Sequence, residues 1–325
     1  MVAAPTAPTS SRTTTRIWLA LLIVYIVWGS TYIAIGLMIE SLPGLTGGGI
    51  RFILAAIAMA GIISVTRGPR TLRVNRREFG ASALIGVMLL AVGIGTVSVA
   101  AEHIPTSIAA IIVATIPLWV VVYRLASGDR PRPLTIVGVI VGLGGLGVIL
   151  LPGGSVEPES GPAVGGTAIV AASIAIMISS ALWALGSWLS PRLPIPRNTL
   201  VHTTYQMLVA GIVLLIAGRV RGEVIDVSAI TLPSWLGLAY LVVFGSLIAY
   251  TAFTWLVGHA PLSLVATYAY VNPAIAVMLG VLIFGEAISS DVITGVLFVL
   301  GGVVLVVSGE RVRRQPITGA STGGT

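Results

Sequence analysis

Aromatic and polar residues that could bind an organic ligand lie inside long apolar stretches of this sequence. Trp28 and Tyr32 are four residues apart, so they share one face of a helix. Later stretches contain further residues of this kind, namely Trp183, Gln206, Tyr250, Tyr268 and Asn272. Such side chains orient small organic molecules in apolar pockets, so the chemistry expected here is binding. The alternative is interhelical packing, and Gln206 and Tyr250 are also suited to bonds between neighbouring helices.

Arg51 adds a positive charge to this set. A charged side chain inside a membrane span costs about 2.5 to 3.5 kcal/mol, so it should face the protein interior or water and have a partner. One interpretation is an anchor for an anionic substrate group such as a carboxylate. The other is snorkelling to the outer surface, which is about one helical turn away. Glu40 and Glu102 are candidate ion-pair partners.

The sequence contains no cluster of residues suited to catalysis or to metal binding. The chain has no cysteine, and its three histidines, His103, His202 and His259, are scattered. Disulfides and thiolate metal sites are therefore excluded. An intramembrane enzyme would need acid, base or metal groups gathered at membrane depth. We expect no enzyme activity, no metal and no cofactor.

The glycine run 142–147 matches the pattern G-x-G-x-x-G, which in other contexts marks a dinucleotide site. That site requires a preceding strand and a helix that begins at the glycines, whereas this run lies in the middle of an apolar stretch. With Gly138 it predicts a stripe of small residues that lets two helices approach closely. Gly295, Gly301 and Gly302 predict the same stripe in the last apolar stretch.

The composition indicates that membrane helices position all these residues. Only 9% of the 325 residues are charged and 56% are hydrophobic, whereas about 25% of the residues in soluble domains are charged. We predict an all-α integral membrane protein with ten transmembrane helices. The predicted spans are 17–39, 47–66, 79–100, 107–125, 134–151, 167–189, 199–217, 235–257, 262–284 and 292–308.

The same pattern of five spans occurs twice. Trp28 matches Trp183, Arg51 matches Gln206 and Pro117 matches Pro273, at offsets of 155 to 156 residues. Because five is odd, the second copy must cross the membrane in the opposite sense. The sequence therefore predicts two inverted five-helix repeats around a central cavity, an architecture common among transporters. The predicted units are a disordered tail at 1–15, the first repeat at 16–151, an extracytoplasmic linker at 152–165, the second repeat at 166–308 and a cytoplasmic, solvated tail at 309–325.

The arginines predict the orientation of these spans. All 18 basic residues are arginines, and 15 of them lie in inner segments if the N-terminus is inside. Positive charge near span ends is retained on the cytoplasmic side, so both termini should be cytoplasmic. The net charge of +7 is thus a topology signal, and we expect no nucleic-acid partner because the basic residues are not gathered on a soluble face.

Prolines interrupt equivalent spans in the two copies. Pro273 leaves the carbonyl one turn earlier, near Ala269, without a helical donor, and lipid cannot satisfy it. Pro117 creates the same situation in the fourth span. Two proline-interrupted helices at equivalent places indicate that the binding region and a gating hinge lie there. Alternatively, each proline produces a kink that serves only helix packing. Glu286, at the outer end of the ninth span, is a candidate gate residue, a solvated cap or an arginine partner.

Several of these residues resemble the EamA family of the drug/metabolite transporter superfamily. The resemblance rests on the segment 28–32 (WGSTY), Arg51-Phe52, the two prolines, Gly285-Glu286 and the glycine-rich fifth and tenth spans. It covers residues 17–308 as two successive units. It implies a bacterial inner-membrane carrier of ten helices that moves amino acids or other small metabolites, often outward. In this sequence Gln206 stands where the first copy has Arg51, and Gly128-Asp129 stands where the second copy has Gly285-Glu286.

These observations together predict a secondary transporter in the cell inner (plasma) membrane. Its substrate would be a small molecule, either an amino acid or related carboxylated or zwitterionic compound, or a drug-like solute. It would export this substrate by alternating access, with a proton or ion as a candidate coupling partner, as a monomer or homodimer in the lipid bilayer. A channel or a sensor that uses the same cavity stays open as an alternative, and an intramembrane enzyme is less well supported.

Overall fold

All regular structure in the part of the chain that the computed structural model describes is helical. The described residues are 11–100, 103, 109, 112–150, 166–284 and 290–312. The first half contains α1 Ser11–Ile39, α2 Gly44–Arg67, α3 Arg76–Ala100, α4 Ile116–Ala126 and α5 Pro133–Leu150. The second half contains α6 Gly166–Leu189, α7 Thr199–Arg221, α8 Leu232–His259, α9 in two parts (Leu262–Val265 and Tyr268–Phe284) and α10 Ser290–Val312.

The ten helices overlap the ten predicted spans, although α4 begins at Ile116 whereas the fourth span is predicted from residue 107. Seven of them are long and apolar enough to cross a membrane. Three shorter apolar segments, Ile116–Ala126, Pro133–Val148 and Leu262–Ala276, lie at the predicted fourth, fifth and ninth spans. The all-helical membrane class is therefore confirmed, and the full count of ten crossings stays a prediction.

Equivalent helices of the two halves pack against each other in antiparallel fashion. In the pair α2 and α7, a Cβ on Gly49 would lie 2.7 Å from Leu215, and a Cβ on Gly211 would lie 2.9 Å from the backbone nitrogen of Ile53. The partner's residue number falls as the first rises, which defines opposite directions. Two copies whose equivalent helices run in opposite directions are inverted repeats, as the odd number of spans predicts.

The pair α5 and α10 has the same antiparallel geometry. A Cβ on Gly138 would lie 2.7 Å from the backbone nitrogen of Val306, and a Cβ on Gly145 would lie 2.7 Å from the carbonyl oxygen of Gly295. Between them, a Cβ on Gly302 would lie 2.6 Å from the backbone nitrogen of Gly142. The predicted small-residue stripe is thus confirmed as a helix contact for part of its glycines, whereas Gly144 and Gly301 lie outside it, because nothing lies within 4 Å of their Cβ positions. Because glycines have no side chains, the two helix backbones can pack closely against each other. Membrane helices associate through such packing, since lipid provides no hydrophobic driving force between them.

The two halves also interlock through their first helices. Helix α1 packs against α8 and α9 of the second half, and α6 packs against α3 and α4 of the first half. Each of these contacts has its counterpart in the other half. The centre of the molecule is therefore built from residues of both repeats.

Both α3 and α8 contain a wide, π-helical segment, at equivalent places. These segments are Val87–Ile94 in α3 and Leu241–Tyr250 in α8. Such widening of a helix is uncommon and is frequently found at functional sites. Here each segment lies next to the first helix of the opposite half.

The ends of four helices meet at a buried polar cluster. Arg124, at the end of α4, places Nη1 2.7 Å from Glu310 Oε1 and Nε 2.9 Å from Asp129 Oδ2. Its Nη1 also donates to the hydroxyl of Ser263, at the start of α9. Thr135 Oγ1, in α5, lies 3.3 Å from Glu310 Oε1. Because Arg124 and Glu310 come from different repeats, this Arg124 cluster ties the repeats together at one end.

Glu310 corrects the predicted boundary of the second repeat. The apolar pattern predicts a solvated tail after residue 308, yet α10 continues to Val312 and Glu310 is only 5% exposed. The ion pair with Arg124 explains the difference, because a buried carboxylate needs a charged partner. Helix α1 likewise begins at Ser11, within the tail predicted at 1–15. The predicted linker 152–165 lies outside the described residues.

The glycine contacts generate a matched pair of predictions. We expect Gly302→Val to destabilise the protein strongly, because a Cβ there would lie 2.6 Å from the backbone nitrogen of Gly142. Gly301→Val should leave stability nearly unchanged, because nothing lies within 4 Å of its Cβ position. Melting temperatures of the purified variants in detergent would measure both effects. Equal losses from the two variants would contradict the close α5 and α10 contact.

Candidate functional site

Aromatic rings from both repeats meet at the centre of the molecule. Trp28 of α1 lies at 5.0 Å from Tyr268 of α9 and 5.2 Å from Phe253 of α8, measured between ring centroids. The ring of Trp183, from α6, lies 6.1 Å from Trp28 and nearly perpendicular to it, and Tyr250 stacks on Trp28 at 6.5 Å. These five rings form the central aromatic cluster. Four of them belong to the predicted set.

The two tryptophans occupy equivalent places but differ in their hydrogen bonds. Trp28 Nε1 donates to the carbonyl of Gly245, in the wide segment of α8, at 3.2 Å. Trp183 covers Gly93, in the wide segment of α3, so closely that a Cβ there would lie 2.6 Å from the ring. Trp183 Nε1 is buried and has no counterpart of the Trp28 bond to a carbonyl among the described residues. The site is therefore asymmetric although the fold is pseudo-symmetric.

Arg51 is buried beside this cluster. Its side chain is on α2 with 6% exposure, and its Nε donates to Ser246 Oγ at 2.8 Å. Within the described ranges no carboxylate lies within 4.0 Å of it. The burial contradicts the snorkelling interpretation. Glu40 is exposed and makes no ion pair with Arg51, and Glu102 lies outside the described residues.

Gly245 brings Arg51 and Trp28 to the same stretch of backbone. A Cβ on Gly245 would lie 2.8 Å from Arg51 Nη2, while the carbonyl of Gly245 accepts the bond from Trp28. The guanidinium can therefore reach its position only because residue 245 has no side chain. This geometry places a positive charge at the edge of the central aromatic cluster.

Gln206 joins the cluster through Tyr250. The hydroxyl of Tyr250 donates to Gln206 Oε1, and both side chains are almost fully buried. The other polar atom of the amide, Nε2, has no partner within the described part of the chain. Gln206 thus takes part in an interhelical hydrogen bond between α7 and α8, which is one of the two predicted roles. Its Nε2 is still a free hydrogen-bond donor.

Tyr32 and Asn272 lie at the contact between α1 and α9. Tyr32 is half-buried on α1, one turn after Trp28. The side-chain nitrogen of Asn272, oriented toward two carbonyl oxygens, donates to Tyr268 at 3.2 Å and to Tyr25 at 3.3 Å. The geometry assigns Asn272 to the joint between the helices, next to the aromatic cluster.

The two predicted prolines have different local surroundings. Pro117 is the second residue of α4, directly after a turn at 114–115. Pro273 lies within the helix Tyr268–Phe284, and the interruption of α9 is at Ala266 and Thr267. Thr267 is bonded there to the hydroxyl of Tyr25. The break in α9 thus precedes its proline by six residues, and whether either proline acts as a hinge stays a prediction. Glu286 lies outside the described residues.

The comparison with known sequences decides the family. The sequence profile described as the EamA-like transporter family matches residues 15–151 and again residues 170–308. This chain belongs to that family.

Relatives of this EamA-like protein carry transporter names. The chain is 37% identical over 292 residues to the uncharacterized inner membrane transporter YedA of Escherichia coli K12, and the match covers 90% of each chain. It is 22% identical over 310 residues to the uncharacterized transporter YvbV of Bacillus subtilis, covering 94% of this chain and 96% of that one. A crystal structure at 18% identity has the same fold, with a TM-score of 0.74 over 94% of this chain and 100% of the other. The chain is thus a multi-pass inner membrane transporter that binds a small-molecule substrate among lipids.

Unsatisfied polar groups lie around the aromatic cluster of this transporter. Gln206 Nε2 and the hydroxyl of Ser180 are buried without a hydrogen-bond partner in the described part of the chain. An unpaired buried polar group costs about 1 to 3 kcal/mol. Together with the positive charge of Arg51, these groups favour a ligand that carries hydrogen-bond acceptors and negative charge.

Sequence reasoning missed three components of this site. Phe253 follows Tyr250 by three residues, so helical periodicity could have indicated it. Gly245 and Ser246 gave no comparable signal, because their role depends on the wide segment of α8 that places them against Arg51.

Two tyrosine variants test the bonding at the site. Tyr250→Phe should destabilise the protein by about 1 to 3 kcal/mol, because Gln206 would then be buried with both polar atoms unpaired. Tyr270→Phe is the matched control, since the buried Tyr270 hydroxyl has no partner in the described residues and its removal should cost nothing. Thermal unfolding in detergent would compare them. A larger loss in Tyr270→Phe than in Tyr250→Phe would contradict the assigned bond.

Proposed function

We propose that this EamA-like protein is a secondary transporter that exports a small metabolite with a carboxylate and an apolar portion. An amino acid or a related zwitterionic compound fits this description. The observation that carries the proposal is the buried Arg51, which has no carboxylate within 4.0 Å among the described residues and lies beside the central aromatic cluster. The outward direction rests on the family resemblance alone.

The chemistry of the site supports this substrate class. A substrate carboxylate would neutralise Arg51 and accept a charge-assisted hydrogen bond, which is about twice as strong as a neutral one. The rings of Trp28, Phe253 and Tyr268 offer apolar and edge-on aromatic contacts to the rest of the molecule. The free donor of Gln206 would bond an additional acceptor. Trp28, Tyr32, Arg51, Trp183, Gln206, Tyr250 and Tyr268 are the proposed binding residues, with Asn272 as their support.

The inverted repeats support transport by alternating access. In such proteins one repeat rocks against the other around a fixed site near the midplane. Contacts between repeats at the two ends would then break and form in alternation. The Arg124 cluster is such a contact at one end, because it joins α4 of the first repeat to α9 and α10 of the second. The contact of Glu223 with the backbone nitrogen of Thr46, at 2.8 Å, joins the repeats at the other end.

We further propose that the Arg124 cluster faces the cytoplasm and that both termini are cytoplasmic. The distribution of arginines supports this orientation. The cluster brings together the end of α4, the start of α5, the start of α9 and the end of α10, and all four are inner ends in the predicted topology. Glu223 and Thr46 are both on the outer side in that topology.

Substrate identification and a variant series test the transport proposal. Metabolite profiles of cells and medium, with and without expression, should reveal one class of carboxylated metabolite that moves outward. Counterflow of that metabolite in proteoliposomes should then fall at least about tenfold in Arg51→Gln and Trp28→Ala, since each removes a direct contact. Arg51→Lys should retain part of the activity because it keeps the charge.

Matched controls separate this effect from misfolding. Arg70→Gln and Trp235→Ala change the same residue types at exposed positions and should transport normally. Counterflow also distinguishes a carrier from a channel, because only a carrier exchanges labelled for unlabelled solute. Normal counterflow in both Arg51→Gln and Trp28→Ala would refute the site assignment, and flux without counterflow would favour the channel.

Cysteine labelling tests the proposed gate and its orientation. The chain contains no cysteine, so Leu264→Cys, next to Ser263 in α9, would be the single reactive thiol. We expect slow reaction with a membrane-impermeant maleimide and a severalfold faster reaction when Glu310→Gln is added, because breaking a buried ion pair costs about 3 to 5 kcal/mol. The faster reaction should occur in inside-out vesicles alone.

Two exposed positions calibrate the sides of the membrane in this experiment. Arg73→Cys should react in inside-out vesicles and Ser228→Cys in right-side-out vesicles. If Glu310→Gln leaves the labelling of Leu264→Cys unchanged, the Arg124 cluster does not close this end. Reaction of Arg73→Cys from the outside would reverse the proposed orientation.

A further inference from the structure

A groove on the flank of the helix bundle is separate from the central aromatic cluster. It has a volume of about 810 Å³ and lies where α1, α2, α7 and α8 come together. This size is in the range of small-molecule sites. None of the residues that line it belongs to the proposed substrate site.

One end of the groove carries concentrated positive charge. Arg16 of α1, Arg67 at the end of α2 and Arg197 before α7 line it and are exposed, and no acidic residue is among the lining residues. Within the described ranges none of these three arginines is in an ion pair. The groove also contains the first residues of α7, whose N-terminus adds partial positive charge. The arginine end is therefore complementary to an anion.

The rest of the groove is apolar and is built from two helix faces. On α1, Leu19 and Ile23 follow Arg16 at three and seven residues, so all three share one face. On α8, Ile248 and Trp255 are seven residues apart and also share a face. Leu19, Ile23 and Ile248 are between 36% and 55% exposed. The groove thus continues from a charged end into an apolar channel that is open toward the surroundings of the bundle.

We propose that this groove binds an anionic phospholipid. The phosphate would contact the three arginines, and an acyl chain would lie against Leu19, Ile23 and Ile248. A soluble phosphate would use the charged end alone, whereas the groove continues over two turns of exposed apolar surface. Basic pockets between membrane helices on the cytoplasmic side bind anionic head groups in this way. Because α1 and α2 belong to one repeat and α7 and α8 to the other, the lipid would bridge the two repeats.

Quenching of tryptophan fluorescence by brominated lipids tests this proposal. Trp255 lines the groove, so the full-length protein in vesicles should be quenched more by dibrominated phosphatidylglycerol than by dibrominated phosphatidylcholine at the same mole fraction. The excess quenching should vanish in Trp255→Phe. Each arginine changed to glutamine should weaken the preference for phosphatidylglycerol about fivefold, so it should be lost in Arg16→Gln/Arg67→Gln/Arg197→Gln.

Two triple variants serve as controls for charge and folding. Arg16→Lys/Arg67→Lys/Arg197→Lys keeps the charge and should keep the preference. Arg70→Gln/Arg73→Gln/Arg77→Gln removes the same charge from exposed positions in the α2–α3 connection and the first turn of α3, and should also keep it. Equal quenching by the two lipids, or equal loss of preference in the two glutamine triples, would overturn the proposal. Abolition of the preference by inorganic phosphate at millimolar concentration would do so too, because it would indicate a soluble-anion site.

Discussion

The architecture depends on the close antiparallel approach of equivalent helices from the two repeats. In lipid the apolar surface of one helix gains little by contacting another, so association requires tight packing of backbones. The glycines of α5 and α10 provide it, and Gly49 and Gly211 do the same for α2 and α7. Because each pair joins one helix to its own counterpart, the contact fixes the inverted relation between the repeats. The remaining helices then meet across the same pseudo-twofold axis. Helix α1 packs against the second half, and α6 packs against the first half.

The candidate site lies on this axis, yet it is asymmetric. Trp28 and Trp183 are matched, whereas Arg51 is matched by the neutral Gln206. Two arginines at these positions would place like charges in one low-dielectric interior, at high cost. A single arginine instead gives the site one polar end beside Gly245 and Ser246, while Gln206 bonds to Tyr250. The symmetry of the repeats positions the helices around the site. The differences between the copies make the two sides of the site chemically unlike, which suits the binding of an unsymmetrical substrate.

The sequence predicts the helices from apolar length, the duplication from residues that recur at offsets of 155 to 156, and the inversion from the odd number of spans. Most aromatic residues of the site follow from their mid-span positions and helical periodicity. Trp28, Trp183, Tyr250 and Tyr268 are brought together as their mid-span positions suggest. Glu310 could not be predicted in the same way, since a charged residue after an apolar span resembles a solvated tail until Arg124 is found facing it. The wide segments of α3 and α8 were also unpredictable, because π-helical geometry has no simple residue pattern. The break in α9 lies at Ala266 and Thr267 rather than at Pro273, and Thr267 is bonded there to the hydroxyl of Tyr25, a contact between distant residues that no local pattern indicates.

Helix α9 connects the site to the end of the molecule. Its short first part begins beside Ser263, which accepts a hydrogen bond from Arg124, and its longer second part begins with Tyr268 of the central aromatic cluster. Ala266 and Thr267 lie between these two parts and are not helical. A non-helical pair can absorb changes in backbone angles that a continuous helix would transmit as strain. In the proposed transport cycle, rearrangement of the Arg124 cluster would move the first part of α9 while Tyr25 and Asn272 hold the second part against α1. Under that proposal, one end of the molecule would change its packing while the site shared by both repeats stays assembled.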